Sequence, residues 1–370
     1  MTYFVTGATG FIGRYLVQSL LQKGKGTIYV LVRPKSIGKL DELREFWGKD
    51  SLKRVVPIKG DLGLPKLGVA RGDLTKLKGK VKHFYHLGAV YDIEASAEAM
   101  EKANITGTRG ALEFAEAVKA GCFHLVSSIA AAGLYRGTFT EDMFEEAEEL
   151  DHPYHRTKHD SEAMVRANGR VPFRVYRPGA VLGHSQTGFI DKIDGPYYFF
   201  KALQKLRESW PRSIPLVGIE GGYINVVPVD FVVDALVHLS HQPKLDGRCF
   251  HLTDPKARRV GEVLNVFARA AHAPEMAFRL DPKVFAMVPE PVTQSVQRSK
   301  PIQNVFNQLL RDLQVPRSVL QFVNYPTRFD STATQKILDK AKIRVPALED
   351  YAWRLWDYWE RHLDPDLSID

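Results

Sequence analysis

Tyr154 and Lys158 stand four residues apart in a stretch, Tyr154 to Asn168, whose apolar residues return at helical spacing, so both share one helix face. A phenol with its ordinary pKa near 10 is a poor acid-base catalyst at neutral pH. A neighbouring ammonium changes that by stabilising the phenolate. Ser128, just after the apolar run Phe123 to Ser127, adds a hydroxyl able to donate to a substrate oxygen, with Ser127 as the alternative. These three types in this order predict proton delivery to a carbonyl oxygen while a hydride reaches its carbon. The Tyr-x-x-x-Lys spacing is unselective by itself, since Tyr197 and Lys201 match it too. Position separates the two. Tyr154 falls between the strand leading to Ser128 and the next one, which ends Arg177-Pro178-Gly179. Tyr197 lies beyond both, in an aromatic stretch (Tyr197 to Phe200) suited to a substrate pocket or to core.

A hydride needs a donor, and the first strand ends in Thr6-Gly-Ala-Thr-Gly-Phe-Ile-Gly13. Three glycines at intervals of three where a strand turns into a helix make an anion seat. Backbone N–H groups over Gly7, Thr9, Gly10, Phe11, Ile12 and Gly13 point outward, and missing side chains admit a pyrophosphate. The second strand ends Val32-Arg33-Pro34-Lys35-Ser36, without the acidic residue that holds an unphosphorylated ribose. Arg33, supported by Arg14 and by Lys35 or Ser36, predicts NADPH. Asp61 and Leu62 after the third strand are placed at the adenine, and Leu87, Gly88 and Ala89 after the fourth along the dinucleotide.

The elements that must position these residues are read from hydrophobic alternation. Strands are predicted at Tyr3 to Thr6, Thr27 to Arg33, Arg54 to Lys59, His83 to Leu87, Phe123 to Ser127, Phe173 to Arg177 and Cys249 to Thr253. Helices are predicted at Ile12 to Lys23, Glu94 to Lys119, Tyr154 to Asn168 and Asp230 to Leu239. The fold class is therefore α/β, a Rossmann-type doubly wound parallel sheet, with a smaller, mostly helical substrate-binding lobe. Residues 1–255 are assigned to the nucleotide-binding domain, with lobe insertions at about 183–225, and 256–370 to the lobe and tail. Irregular helices are expected over Asp281 to Thr327, and a helix docked by Trp353, Trp356, Tyr358 and Trp359 over Tyr351 to His362.

With 370 residues, 44% of them hydrophobic and 25% charged, the chain can bury a large core. A cytoplasmic location is expected, with at most peripheral contact with a membrane, because no apolar run approaches the roughly 20 residues of a spanning helix. The net charge of +8 is spread without a dense run, so a polyanionic small molecule explains it as well as nucleic acid, and no nucleic-acid partner is expected. Cys122 and Cys249 read as buried apolar residues. No His or Cys spacing predicts a metal site. The acids of Glu141 to Asp151 read as a charged loop.

Taken together, Gly7 to Gly13, Asp61, His86 to Ala89, Asn104 with Gly107-Thr108, Ser128, Tyr154 with Lys158, and Arg177-Pro178-Gly179 resemble the extended short-chain dehydrogenase/reductase superfamily. The resemblance implies cofactor contacts at Asn104, Val126, Tyr154, Lys158, Arg177, Pro178 and Gly179 besides those above. Gly88 stands where many members carry Ala, a change read as harmless. Over nearly the whole length the chain is most similar to the N-terminal reductase domain of bacterial alcohol-forming fatty acyl-CoA reductases, through Val126 to Gly133, Glu141 to Ala147, Asp194 to Phe200, Gly221 to Phe231 and Asp357 to Arg361. That similarity implies reduction of a long-chain aldehyde, with an acyl-CoA thioester as a further substrate, and a second reductase domain C-terminal to this chain. A sugar-nucleotide epimerase or a hydroxysteroid dehydrogenase would present the same catalytic trio, and a non-catalytic NADPH sensor is a further alternative, against which the intact Tyr154 and Lys158 argue.

Overall fold

In the computed structural model, residues 1–90, 95–191, 193–210, 216–280 and 325–367 are described. Seven apolar runs form one parallel sheet: β1 (Thr2–Thr6), β2 (Thr27–Val32), β3 (Val55–Lys59), β4 (His83–His86), β5 (Cys122–Val126), β6 (Phe173–Pro178) and β7 (Cys249–Leu252). Their order is β7-β6-β5-β4-β1-β2-β3. All six neighbouring pairs are parallel. The order reverses between β1 and β4, and a ligand crevice opens beyond the carboxyl ends of the strands at such a switch point.

The longer described helices, some of which cover the two faces of this sheet, are α1 (Phe11–Lys23), α2 (Ile37–Trp47), α3 (Arg71–Leu77), α4 (Gly107–Ala117), α5 (Pro153–Ala167), α6 (Phe200–Ser209), α7 (Val229–His241), α8 (Val260–Ala270), α9 (Thr332–Leu338) and α10 (Leu348–His362). One face is dry. Phe4, Phe84 and Phe123 occupy facing register positions on β1, β4 and β5 and stack at 5.0 and 5.1 Å, with Phe114 of α4 against Phe4 at 4.5 Å.

The opposite face carries a buried polar layer. His83 and His124 share a hydrogen bond of 2.9 Å, His124 reaches the Tyr176 hydroxyl at 3.0 Å, and Tyr85 and Tyr3 meet Ser240 and His241 of α7 at 2.7 and 3.1 Å. Burial lowers His83 to about 4, helped by His241. It likewise lowers His86 to about 3, His155 to about 4 and His251 to about 3. The unfolded chain binds these protons near pH 6.5 and the folded chain does not, so stability is present above 6.5 and is lost as pH falls toward the folded values. Each group costs up to ~1.4 kcal/mol per pH unit in that window. Acid unfolding followed by far-ultraviolet circular dichroism is therefore expected between pH 6 and 4. A chain still fully folded at pH 4 would contradict it.

The chain divides into two compact units: Met1–Val181, Val229–Pro255 and Phe329–Val345 form the first, and Leu182–Pro228, Lys256–Arg328 and Pro346–Asp370 the second. The expected C-terminal boundary is thus corrected, because α9 packs on β7 and α7 of the first unit. In the second unit, α6, α8 and α10 enclose Tyr197, Phe200, Phe267, Trp356 and Trp359. Phe200 lies 4.7 to 5.5 Å from the other four rings. Tyr197 and Phe200 are therefore core, and so are Trp356 and Trp359 of the expected tail helix, whereas Trp353 is 52% exposed. Of the stretch Asp281 to Thr327, expected as irregular helices, residues 281–324 lie outside the described residues. No described helix is long and apolar enough to cross a membrane.

The expected single helix from Glu94 to Lys119 is helical from Ala97 on, but not α-helical throughout. A helical turn at Ala97–Met100 runs into π-helical Glu101–Thr106 before α4 begins. The widened turn carries Asn104, whose side chain both accepts from the Val90 N–H and donates to its carbonyl.

Candidate active site

The glycine turn joins β1 to α1. Gly7 adopts φ +73, a left-handed conformation, and a Cβ there would lie 2.8 Å from Gly88 N. At Gly13 a Cβ would lie 2.0 Å from the Gly7 carbonyl oxygen, so the helix can begin this close to the turn only without a side chain. No side chain caps α1. Its first N–H groups thus point at the crevice beside a cradle that any side chain would fill, which fits a bound pyrophosphate.

The other predicted cofactor residues line the carboxyl ends of the strands. Arg33 follows β2, exposed, with no acidic residue beside it in the chain. Asp61 follows β3, where its Oδ1 accepts from Gly63 N at 2.8 Å and shapes the loop that carries Leu62. Leu87, Gly88 and Ala89 follow β4. The Gly88 N–H donates to Thr6 Oγ1 at 3.2 Å, and a Cβ on Gly88 would lie 2.5 Å from Leu62 Cδ1. The nearest atoms belong to the end of a flexible leucine side chain rather than to backbone, so this contact does not by itself require glycine. Val126 ends β5, Pro178 ends β6, and Gly179 N donates to Leu252 O at 3.1 Å.

Ser128 lies two residues beyond β5 and starts the 3₁₀ turn Ile129–Ala132, with its Oγ accepting from Ala130 N at 3.1 Å. That turn packs on α5, where His159 Nδ1 meets the Ala131 carbonyl at 3.1 Å. Pro153 opens α5, and His152 Nδ1 accepts from Tyr154 N at 3.1 Å, so the neighbouring histidine caps the helix and fixes the first turn that bears Tyr154. One turn on, buried Lys158 holds its Nζ 6.0 Å from the Tyr154 ring centroid. Burial lowers this ammonium to about 8, with Glu162 acting in the opposite direction. Among the described residues no group of three or more His, Cys, Asp or Glu could hold a metal ion.

Several predicted roles change. The Arg177 guanidinium has no exposed surface. It forms a two-point pair with Glu162 (2.6 and 3.0 Å) and also donates to Met143 O and His251 Nε2, so it cannot reach a cofactor, and only the backbone after it borders the crevice. Asn104 is consumed by Val90 and by Thr157 of α5 (3.1 Å), which makes it a tie between the loop after β4 and the catalytic helix. Ser127, buried, donates to Glu162 Oε2 at 3.1 Å, which leaves the half-buried Ser128 as the hydroxyl available to a substrate. Within the exposed acidic loop Glu141 is the exception: it accepts from His251 N and from the Thr334 amide and hydroxyl, latching α9 to the edge strand β7. The second Tyr-x-x-x-Lys match is structural, since Lys201 is paired with Asp364 and Asp366, and the Tyr197 hydroxyl accepts from Gly183 N. Sequence reasoning missed Glu162, although Tyr154, Lys158 and Glu162 repeat every four residues along one helix face.

The family model described as male sterility protein, an NAD-binding family, matches residues 5–236. A linear gramicidin synthase component from Brevibacillus parabrevis is 32% identical over 268 residues, which is 68% of this chain and 5% of that protein. A Drosophila melanogaster protein provisionally assigned as a fatty acyl-CoA reductase is 28% identical over 306 residues, 68% of this chain and 58% of that protein. The crystal structure of the terminal R domain from the myxalamid PKS-NRPS biosynthetic pathway superposes with a TM-score of 0.76 at 26% identity, covering 97% of this chain and 90% of that one. The chain thus spans a small part of the synthase and little more than half of the insect protein.

Proposed function

Since the chain belongs to the male sterility family of extended short-chain dehydrogenase/reductases, and so is an NAD(P)-dependent reductase, we propose that it uses NADPH to reduce a long-chain fatty aldehyde to the alcohol. The observation that carries the reading is the Tyr154–Lys158 pair on α5, packed against the turn that starts at Ser128. The turn from Gly7 to Gly13, Arg33, the loop around Asp61 and the backbone at 87–89 and 177–179 would hold the cofactor, which when bound supplies the hydride. Ser128 donates a hydrogen bond to the carbonyl oxygen and polarises it. Tyr154 gives its phenolic proton to that oxygen as it gains charge. Lys158 faces the phenolate left behind and lowers the cost of forming it. Because burial sets this ammonium near 8, the reductive rate is expected to fall as pH rises through that value.

A thioester is a second reading, favoured by the likeness to parts of multidomain synthases. Its first reduction gives a hemithioacetal, which expels the thiol and leaves the aldehyde. Within the proposal, a second reductase domain beyond this chain delivers the aldehyde, and the chain works in the cytoplasm. The test is NADPH with decanal or, separately, palmitoyl-CoA, with products identified by gas chromatography. Decanol from decanal alone is the expected result; products from the thioester favour the second reading, and no product from either sinks both. For the cofactor choice, Arg33→Glu removes a charge-assisted contact worth about 1.5–3 kcal/mol. The KM for NADPH is expected to rise roughly 10–100-fold while that for NADH changes little. Equal effects on both cofactors would contradict the assignment.

A further inference from the structure

Behind the catalytic pair lies a buried ionic knot. Glu162 sits one turn beyond Lys158 on α5 with no exposed side-chain surface. Its Oε2 accepts from Ser127 Oγ (3.1 Å) and Arg177 Nε (3.0 Å), and its Oε1 accepts from Arg177 Nη2 (2.6 Å) and Arg166 Nε (2.9 Å). Ser127 precedes Ser128 just beyond the end of β5, Arg177 lies on β6, and Arg166 follows on α5. One carboxylate therefore ties the helix bearing Tyr154 and Lys158 to the strand that leads to Ser128.

We propose that Glu162 is a positioning residue for the reduction: its carboxylate sets Ser128 against Tyr154 through Ser127, and its charge keeps the buried Lys158 ammonium protonated. The inference rests on the reading of Ser128, Tyr154 and Lys158 given above. Structural pairing alone needs no serine, since Arg177 and Arg166 already neutralise the carboxylate. The third partner is the residue adjoining the reactive hydroxyl. Three titratable groups among the described residues bear on Lys158. Tyr154 lies one turn before it and Glu162 one turn after it, and His86 of β4 is held between Thr6 and Thr108 and kept neutral by burial. Glu162 is thus the anion that acts on the ammonium. Burial opposes its own ionisation, but Arg177 and Arg166 more than offset this and hold it below the usual carboxylate range, so its charge persists throughout the working pH range.

Two variants separate the two jobs. Ser127→Ala cuts the tie to β5 and leaves every charge in place; kcat is expected to fall about fivefold or more, with the KM for NADPH and the alkaline limb of the pH profile unchanged. Glu162→Gln keeps the shape and removes the charge; the alkaline limb is expected to move at least half a pH unit to lower pH. The Lys158 titration is read without turnover, by carbon-13 resonance of ε-labelled lysine assigned with Lys158→Met, and should move the same way. Ser127→Ala with kcat within twofold of the parent would overturn the proposal even if Glu162→Gln does not fold, and so would an unmoved Lys158 midpoint in folded Glu162→Gln. Should the parent reduce neither decanal nor palmitoyl-CoA, the functional reading fails, while the lysine titration still decides the charge role of Glu162.

Discussion

Tyr154→Phe is expected to lower kcat by about 10³-fold while leaving the dissociation constant for NADPH within twofold of the parent. The substitution removes one oxygen at the first turn of α5. The cap from His152 to the Tyr154 amide and the buried Lys158 beside the ring remain, so the helix and the crevice keep their form. What disappears is the proton for the carbonyl oxygen, and Ser128 can polarise that oxygen without supplying a proton that Lys158 would help replace. Stopped-flow absorbance at 340 nm gives the rate and a fluorescence titration the affinity. A rate within tenfold of the parent would remove Tyr154 from the chemistry, and a parallel loss of NADPH binding would make it a structural residue.

The second large effect is expected at the phosphate turn. Gly13→Ala puts a methyl group 2.0 Å from the Gly7 carbonyl oxygen and 2.8 Å from Ala8 Cα. Both are backbone atoms, so no rotamer change relieves the overlap, and α1 must shift away from the turn that it and Gly7 form. Overpacking of this kind costs about 1–3 kcal/mol. Spent on the geometry of the anion seat, that corresponds to a loss of NADPH affinity of roughly 5–150-fold, accompanied by a lower melting temperature. Gly24→Ala at the far end of α1 is the control: nothing lies within 4 Å of its Cβ and its φ of 179 is ordinary extended backbone, so affinity should be unchanged. Equal affinity in Gly13→Ala and Gly24→Ala would mean that the turn does not carry the cofactor.

These two positions were legible in the sequence because their signals are local. Three glycines between a strand and a helix, and a Tyr and Lys four apart, are patterns within a single turn of chain, and the alternation around them fixes which strand ends they occupy. The seven strands of the sheet lie within a residue or two of their expected bounds for the same reason: each is a short apolar run bordered by polar turns.

What stayed hidden depends on partners far away in the chain. Arg177 was expected as a cofactor contact from the family resemblance, yet its charge is spent on Glu162 and on His251, 74 residues distant. Glu141 looked solvated because its neighbours are acidic, but it meets Thr334, 193 residues on. The same long-range latch explains why α9 returns to the nucleotide-binding unit after an excursion that the sequence assigned wholly to the lobe. Asn104 meets Val90 from within a π-helical turn, and helical periodicity carries no sign of such a turn. Tyr197 and Phe200 illustrate a further limit: an aromatic cluster reads alike whether it packs against Trp356 and Trp359 or against a ligand.

The central claim is that this crevice delivers hydride from a nicotinamide to a carbonyl carbon while Tyr154 protonates the oxygen. The most direct measurement is incubation of the purified chain with decanal and NADPH carrying deuterium at the transferable C4 position, with mass spectrometry of the product. Decanol with one deuterium on C1 from the parent, and at least a hundredfold less from Tyr154→Phe, is the expected result. Unlabelled decanol, or equal label from the two proteins, would contradict it.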